Sequence, residues 1–163
     1  MGLFIRDDKL RAMYRGSVGN DVAKRYARLW TSVITRAPLP RRWVVLEVSG
    51  RRSGKTVRFP LGMADVDGKW YLVSMLGDEC NWVKNVRASG GSATLRGRRS
   101  RTCSLVEVPA EERAPILRRY LVKVPGARPH IPVDRRAPAA AFEAVAPRFP
   151  VFRVDDARPP RAV

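Results

Sequence analysis

Only one histidine and two cysteines occur among the 163 residues. A single imidazole, His130, excludes any site that needs two. Cys80 and Cys103 match no zinc spacing, because structural zinc needs clustered ligands. Two reduced thiols are expected, and Cys80, directly after Asp78 and Glu79, has an acidic setting that disfavours a thiolate. There is no Gly-x-Ser-x-Gly elbow, which removes the Ser-His-Asp hydrolases. No Gly-x-Gly-x-x-Gly follows a strand, so a dinucleotide site of the Rossmann kind is absent. Gly50-x-x-x-Gly54-Lys55-Thr56 has the look of a phosphate loop, but three residues separate the glycines where four are required. Nothing supports a two-carboxylate glycosidase. No run approaches the ~18–20 apolar residues that span a bilayer. The N-terminus has no basic segment followed by an apolar signal core, so a cytoplasmic location is expected.

Acidic residues are also scarce, 15 against 32 Lys and Arg, which leaves a formal charge of +17. Such a surface attracts nucleic acid, anionic lipid or polyanionic ligands. The arginines are scattered through every segment, and arginine and alanine enrichment with little lysine resembles the codon bias of a high-GC genome. Charge as background, an anionic cofactor with a membrane surface, and nucleic acid all stay open on composition.

The length implies one domain, 1–163, and 45% hydrophobic residues is a globular value. Residues 1–20 read as a loose arm, with a short helix around Lys9–Tyr14. Over 21–36, Val22, Tyr26, Leu29, Trp30, Val33 and Ile34 recur at three- and four-residue spacing beside Lys24, Arg25, Arg28 and Arg36. This predicts an amphipathic helix that lays its apolar face on the rest of the fold or touches an anionic membrane surface. Strands are expected at Trp43–Val48, Val57–Ala64, Lys69–Ser74, Ser92–Arg96, Arg101–Val108 and Pro150–Val154. Pro60 suggests an edge or a bulge, and Asp67-Gly68 a hairpin turn. Helices are expected from Asn81 to Ala88, from Pro109 to just before Pro125, and from Ala139 to Val145. In the second of these, Glu111 and Glu112 occupy the first turn, while Ile116, Leu117, Tyr120 and Leu121 face inward. Residues 155–163 read as a tail. The sum is an α+β fold: a split β-barrel of about six mostly antiparallel strands over 43–154, with an N-terminal amphipathic helix and peripheral helices.

Two polar turns interrupt the first strands. Ser49-Gly50-Arg51-Arg52-Ser53-Gly54-Lys55 offers consecutive backbone N–H groups that can form an anion nest. Arg51, Arg52, Lys55 and Arg58 add charge-assisted donors, although a basic hairpin tip pointing into water has the same sequence. The second turn runs from Ser74 to Trp82.

The residues Leu46-x-Val48-x-Gly50-Arg51-Arg52-Ser53-Gly54, Arg58-x-Pro60-Leu61, Gly68-x-x-Tyr71-Leu72-Val73-Ser74 and Asn81-Trp82-x-x-Asn85-Val86 resemble the deazaflavin (F420)-dependent nitroreductase family. That family is the A-type group of split β-barrel flavin and deazaflavin oxidoreductases. The resemblance covers Trp43 to Val108 and extends more weakly to the Glu111–Ala114 segment and the final strand. It implies coenzyme F420 as hydride carrier and a quinone, enone or nitroaromatic acceptor, with some members acting at the membrane on menaquinone. Carried over by position, Arg51, Arg52, Ser53, Gly54, Lys55, Arg58 and Pro60 would hold the phosphate and tail. Ser74, Met75, Leu76 and Gly77 would line the deazaflavin, and Asn81, Trp82 and Asn85 would meet it from the next helix. The cofactor then performs the hydride chemistry and the protein supplies position and a dry pocket. Where nitroimidazole-reducing relatives carry tyrosines, this chain has Val124, Ala127 and His130. Tyr120 or His130 is the candidate proton donor; no metal is expected. Rival readings are a non-catalytic F420 or lipid binder, an FMN-dependent reductase on the same fold, and a basic nucleic-acid-binding protein. The last would lack the aromatic-rich strand face of single-strand binders.

Overall fold

The structure, a computed structural model, describes residues 21–36 and 39–157. The expected N-terminal arm and its short helix lie outside the described residues, as do Pro38 and the end of the tail. Six strands form a closed barrel in the order β1-β2-β3-β6-β5-β4: β1 Trp43–Ser49, β2 Thr56–Val66, β3 Lys69–Val73, β4 Ser92–Arg96, β5 Ser100–Glu107 and β6 Val151–Asp156. Every neighbouring pair is antiparallel. Among the described residues four α-helices accompany them: α1 Asp21–Arg36, α2 Asn81–Ala88, α3 Ala114–Lys123 and α4 Ala139–Val145. Membership of an α+β barrel is as the strand pattern predicts.

The period-2 alternation of the strands separates two cores. Val44, Leu46, Val48, Met63, Leu72, Ala93, Leu95, Cys103, Leu105 and Phe152 point into the barrel, and α2 plugs one end with Trp82, Val83 and Val86. The opposite faces of β2 and β3 present Ala64 and Val73 to α3, which packs Ile116, Leu117, Tyr120, Leu121 and Val124 against them. α4 adds Phe142 to the same layer. Each such aliphatic or aromatic side chain, once buried, stabilises the fold by about 1.5–3 kcal/mol.

Pro60 pairs with Val45 in the β1–β2 ladder, and β2 meets β3 only from Met63 to Val66, so Pro60 lies on a stretch paired on one side, the edge setting expected of it. Three other expectations need correction. Leu29 does not join the apolar face of α1 but is 58% exposed; α1 instead anchors through Trp30, stacked on Trp43 at 6.1 Å, and through buried Ile34. The helix expected from Pro109 is split: Ala110–Glu112 is a 3-10 turn, and α3 begins at Ala114. β6 extends to Asp156, since Cys103↔Asp156 pairing to β5 continues past Val154. Both thiols are free, as expected, and both are buried, which keeps them protonated. The reason is burial more than acidic neighbours, because desolvation is what pushes the Cys80 thiol up and raises Cys103 to about 11.

Candidate functional site

Strand direction decides what can meet. The β1–β2 hairpin tip, the segment after β3, the start of α2, the end of β5 and the start of β6 all gather at one end of the barrel. The two polar turns singled out in the sequence are therefore neighbours.

The hairpin tip is closed by Gly50 N–H donating to Lys55 O at 2.8 Å and Gly54 N–H donating to Gly50 O at 2.8 Å. Gly54 has φ +68° with open space around its Cα, a conformation that favours glycine. Ser53 Oγ accepts from Lys55 N–H at 3.2 Å, so Ser53 braces the loop. Arg52, Ser53, Gly54 and Lys55 are exposed. Arg51 turns back instead. Its Nη1 and backbone N–H donate to Asn85 Oδ1 at 2.9 and 3.3 Å, and its Nη2 to Asn81 Oδ1 at 3.4 Å. Asn85 is only 4% exposed, so this pairing satisfies a buried amide oxygen and pins the tip to α2.

After β3 the chain makes a compact loop. Ser74, 1% exposed, donates its hydroxyl to Gly77 O at 2.7 Å and its backbone N–H to Pro150 O at 2.9 Å. Gly77 has φ +89°, and a Cβ there would stand 3.4 Å from Arg148 O. Met75 packs on the layer beneath α3, while Leu76 packs on the barrel interior. The loop thus spans both cores.

Behind it lies a chain of ions. Arg87 on α2 donates to Asp78 Oδ1 at 2.8 Å and to Glu107 at 2.6 and 3.0 Å. Arg113, nearly buried, reaches Glu107 at 3.5 Å and donates to the carbonyls of Val108, Ala146 and Phe149 at 2.8, 3.3 and 3.4 Å. Its bond from Arg87, opposed by burial and helped by the positive charge, holds the Asp78 carboxyl below its ordinary range. Burial lowers the Arg113 guanidinium, against the pull of Glu107.

The remaining candidates lie elsewhere or are turned inward. Arg58 and Pro60 sit on the outer face of β2, away from the tip, and Arg58 donates Nε to Glu47 at 2.8 Å. Trp82 does not face the open end of the barrel; it is 4% exposed and tilts against Phe152 at 5.5 Å, because it belongs to the apolar stripe of α2. Tyr120 is 3% exposed within the layer under α3, and burial, then the neighbouring Cys80, raises its hydroxyl well above the ordinary value. His130 is half-buried in the turn after α3, its backbone N–H donating to Ala127 O at 3.0 Å.

Sequence reasoning missed Glu47, which lies mid-strand between apolar residues, and Arg96. It also missed Asp78, Arg87, Glu107 and Arg113 as one network, since no spacing joins them. Among the described residues no group of His, Cys, Asp and Glu gathers as a metal site, and no helix is long and apolar enough to cross a membrane. What this end of the barrel offers is cations, turn glycines and backbone donors, which bind and orient. That donor set fits a phosphate-bearing, polyanionic cofactor with a planar ring.

Known proteins agree with that fold. One solved structure, described as a domain-swapped dimer, is 22% identical, covers 82% of this chain and 96% of its own, and has a TM-score of 0.51. An F420-H2 dependent reductase is 24% identical over 72% of this chain and 96% of its own, with a TM-score of 0.50. A protein of unknown function from Agrobacterium tumefaciens is 12% identical over 80% of this chain and 53% of its own, with a TM-score of 0.52. No curated protein matches the chain. The family described as F420H(2)-dependent quinone reductase matches residues 20–139, which is most of the sequence. The chain accordingly belongs to the F420H2-dependent quinone reductase family, whose cofactor is coenzyme F420.

Proposed function

We propose that this protein is a reductase in which a hydride from F420H2 passes to a quinone, with enones and nitroaromatics as further acceptors. The observation that carries the reading is the junction of the basic hairpin tip with the start of α2 through Arg51, Asn81 and Asn85. It ties the tip that carries Arg52 and Lys55 to the helix that follows the glycine-bearing loop Ser74–Gly77. The tip holds anionic groups, and the loop, tied to both cores, supplies backbone donors and apolar contact to a ring. Asn81, at the first turn of α2, is exposed and reaches the same space.

Proton delivery at the acceptor is assigned to His130 rather than Tyr120. His130 is half-buried as a residue, with its Nε2 enclosed, whereas Tyr120 is wholly enclosed and holds its proton tightly. Neighbouring Ile131 belongs to the layer against which Met75 packs.

A second reading of α1 accompanies this one. Exposed Leu29 is flanked by exposed Lys24, Arg25, Arg28 and Arg36, a composition suited to the boundary of an anionic bilayer where a lipid-soluble quinone resides. Co-sedimentation with anionic but not neutral vesicles is the expected result.

The test of the main reading is titration of the purified protein with F420, followed by fluorescence, then turnover of F420H2 with menadione. Saturable binding with turnover is expected. Binding of FMN instead, seen as its absorbance in the purified protein, would overturn it, and binding without turnover on any acceptor would make the protein a carrier.

A further inference from the structure

A second cluster of cations lies down the outer face of the barrel from the hairpin tip. Glu47, in the middle of β1, has a side chain only 9% exposed. Its flanking strands each lend one arginine. Arg58 from β2 and Arg96 from β4 bring their Nε groups to the same oxygen, Oε1, at 2.8 and 2.7 Å. Burial opposes ionisation of Glu47, but the two hydrogen bonds and the two positive charges outweigh it and hold the carboxyl below its ordinary value.

Two guanidinium groups on one carboxylate leave one positive charge unbalanced. Among the described residues each arginine gives only its Nε to Glu47, so the terminal nitrogens of both forks keep their donors. Both side chains are about half exposed. They open into a cleft of about 250 Å³, closed on its far side by Thr31 and Thr35 of α1 and floored by Val45. The threonine hydroxyl protons are already given to helix carbonyls, Ala27 O and Thr31 O, at 2.8 and 2.9 Å. The threonines therefore form a wall, and the arginines supply the donors. A cleft of this size lies below the roughly 300–1,000 Å³ that drug-sized ligands occupy, which suits one carboxylate or phosphate group and not a tricyclic ring.

We propose that this cleft is an anion subsite, in which the terminal nitrogens of Arg58 and Arg96 clamp a carboxylate of the cofactor's oligoglutamate tail, with Glu47 as a built-in competitor. The inference rests on the cofactor reading above. Continuity supports it: Lys55 at the tip, Arg58 on the same strand and Arg96 across β1 make a descending track of cations, which exposed Arg98 and Arg99 prolong. Glu47 holds both Nε groups whether or not a tail is bound, and its negative charge weakens the site for any incoming anion.

Three proteins test this, wild type, Arg96→Met and Glu47→Gln, each titrated by fluorescence with F420 and with its deazaflavin riboside fragment, which lacks the phosphate and tail. Arg96→Met is expected to weaken F420 binding about fivefold and to leave the riboside unchanged. Glu47→Gln is expected to tighten F420 binding, a gain that loss of a purely structural ion pair cannot produce. In a parallel arm without cofactor, inorganic phosphate is expected to raise the melting temperature of the wild type more than that of Arg96→Met. Equal F420 affinity in wild type and Arg96→Met, or weaker binding by Glu47→Gln, overturns the subsite while leaving the cofactor reading intact. If the wild type binds no F420, the cofactor reading and this occupant fall together, and the phosphate arm alone decides whether the cleft takes anions.

Discussion

Removing the strut between the hairpin tip and α2 gives the most direct measure of how this end of the barrel is held. In Arg51→Met the 2.9 Å charge-assisted bond to Asn85 Oδ1 is lost, while the backbone N–H of residue 51 keeps its 3.3 Å contact. Asn85 is almost fully enclosed, so its oxygen cannot recover a full water partner. A wholly orphaned buried acceptor costs about 1–3 kcal/mol; with one contact surviving, about 1 kcal/mol is expected. For a chain of this length that lowers Tm by about 2–4 °C. Asn85→Ala removes both contacts and leaves a small void, so about 2 kcal/mol is expected. The double variant should lose less than the sum, by about 0.5–1 kcal/mol of coupling. Thermal melts of the four proteins read the cycle, and F420 titration reads the consequence, a weaker Kd in both single variants because Arg52 and Lys55 lose their fixed position. Coupling indistinguishable from zero would show that the tip does not depend on α2, and the reasoning for a shared site would fail with it.

Three further outcomes are expected. Gly91→Ala places a Cβ about 2.4 Å from the Leu105 carbonyl oxygen at φ +86°, so β5 must move; denaturant unfolding should show a loss above about 2 kcal/mol, and an unchanged midpoint would refute the close approach. Arg119 bonds Asp65 Oδ2 at 3.0 Å and, against the cost of burial, holds that carboxyl below its ordinary 3.8. A depressed carboxyl pKa stabilises the fold above the ordinary value and loses that contribution as pH falls through the folded value. Urea unfolding between pH 6 and 2 should therefore show stability falling below about pH 4, less steeply in Arg119→Met; identical slopes would count against the pair. His130→Gln should lower kcat for menadione reduction by about tenfold or more with F420 affinity unchanged, whereas wild-type turnover would remove His130 as the donor.

The barrel was legible because its strands obey one rule. Val44, Leu46 and Val48 alternate against Val45 and Glu47, and Cys103 and Leu105 alternate against Thr102 and Val106, so the pattern states which face is interior. α1 was legible as a helix but not in its orientation. Its apolar spacing admits Leu29 on the buried face, and only the stacking of Trp30 on Trp43 decides otherwise. The two turns were legible as glycine-bearing and polar; their adjacency follows from barrel closure, which no local window contains. Trp82 and Tyr120 show the opposite difficulty. An aromatic near a polar turn reads equally well as ring contact or as packing, and helix phase puts both inside. Glu47 was least legible, since its partners Arg58 and Arg96 come from two other strands.

Asp78, Arg87, Glu107 and Arg113 explain how a loop with little regular structure can be a rigid wall. Ser74–Gly77 is bonded to itself and to Pro150, but Pro150 follows a 3-10 turn that would be free to shift. Arg113 removes that freedom by donating to Ala146 and Phe149 at either end of the turn. Glu107 then ties Arg113 to Arg87, and Arg87 ties Asp78 at the far end of the loop. Each exposed pair alone contributes little, about 0–1 kcal/mol. Their arrangement nevertheless fixes the loop from both sides, with the nearly buried guanidinium donating to the carbonyls of Val108 and Phe149 and adding a second donor to Ala146 O, which Phe149 N–H already bonds. Orientation and exclusion of water then stand beside the proton assigned to His130 as sources of catalytic advantage. The charges behind the loop therefore matter to the proposed chemistry as much as the residues that face the ligand.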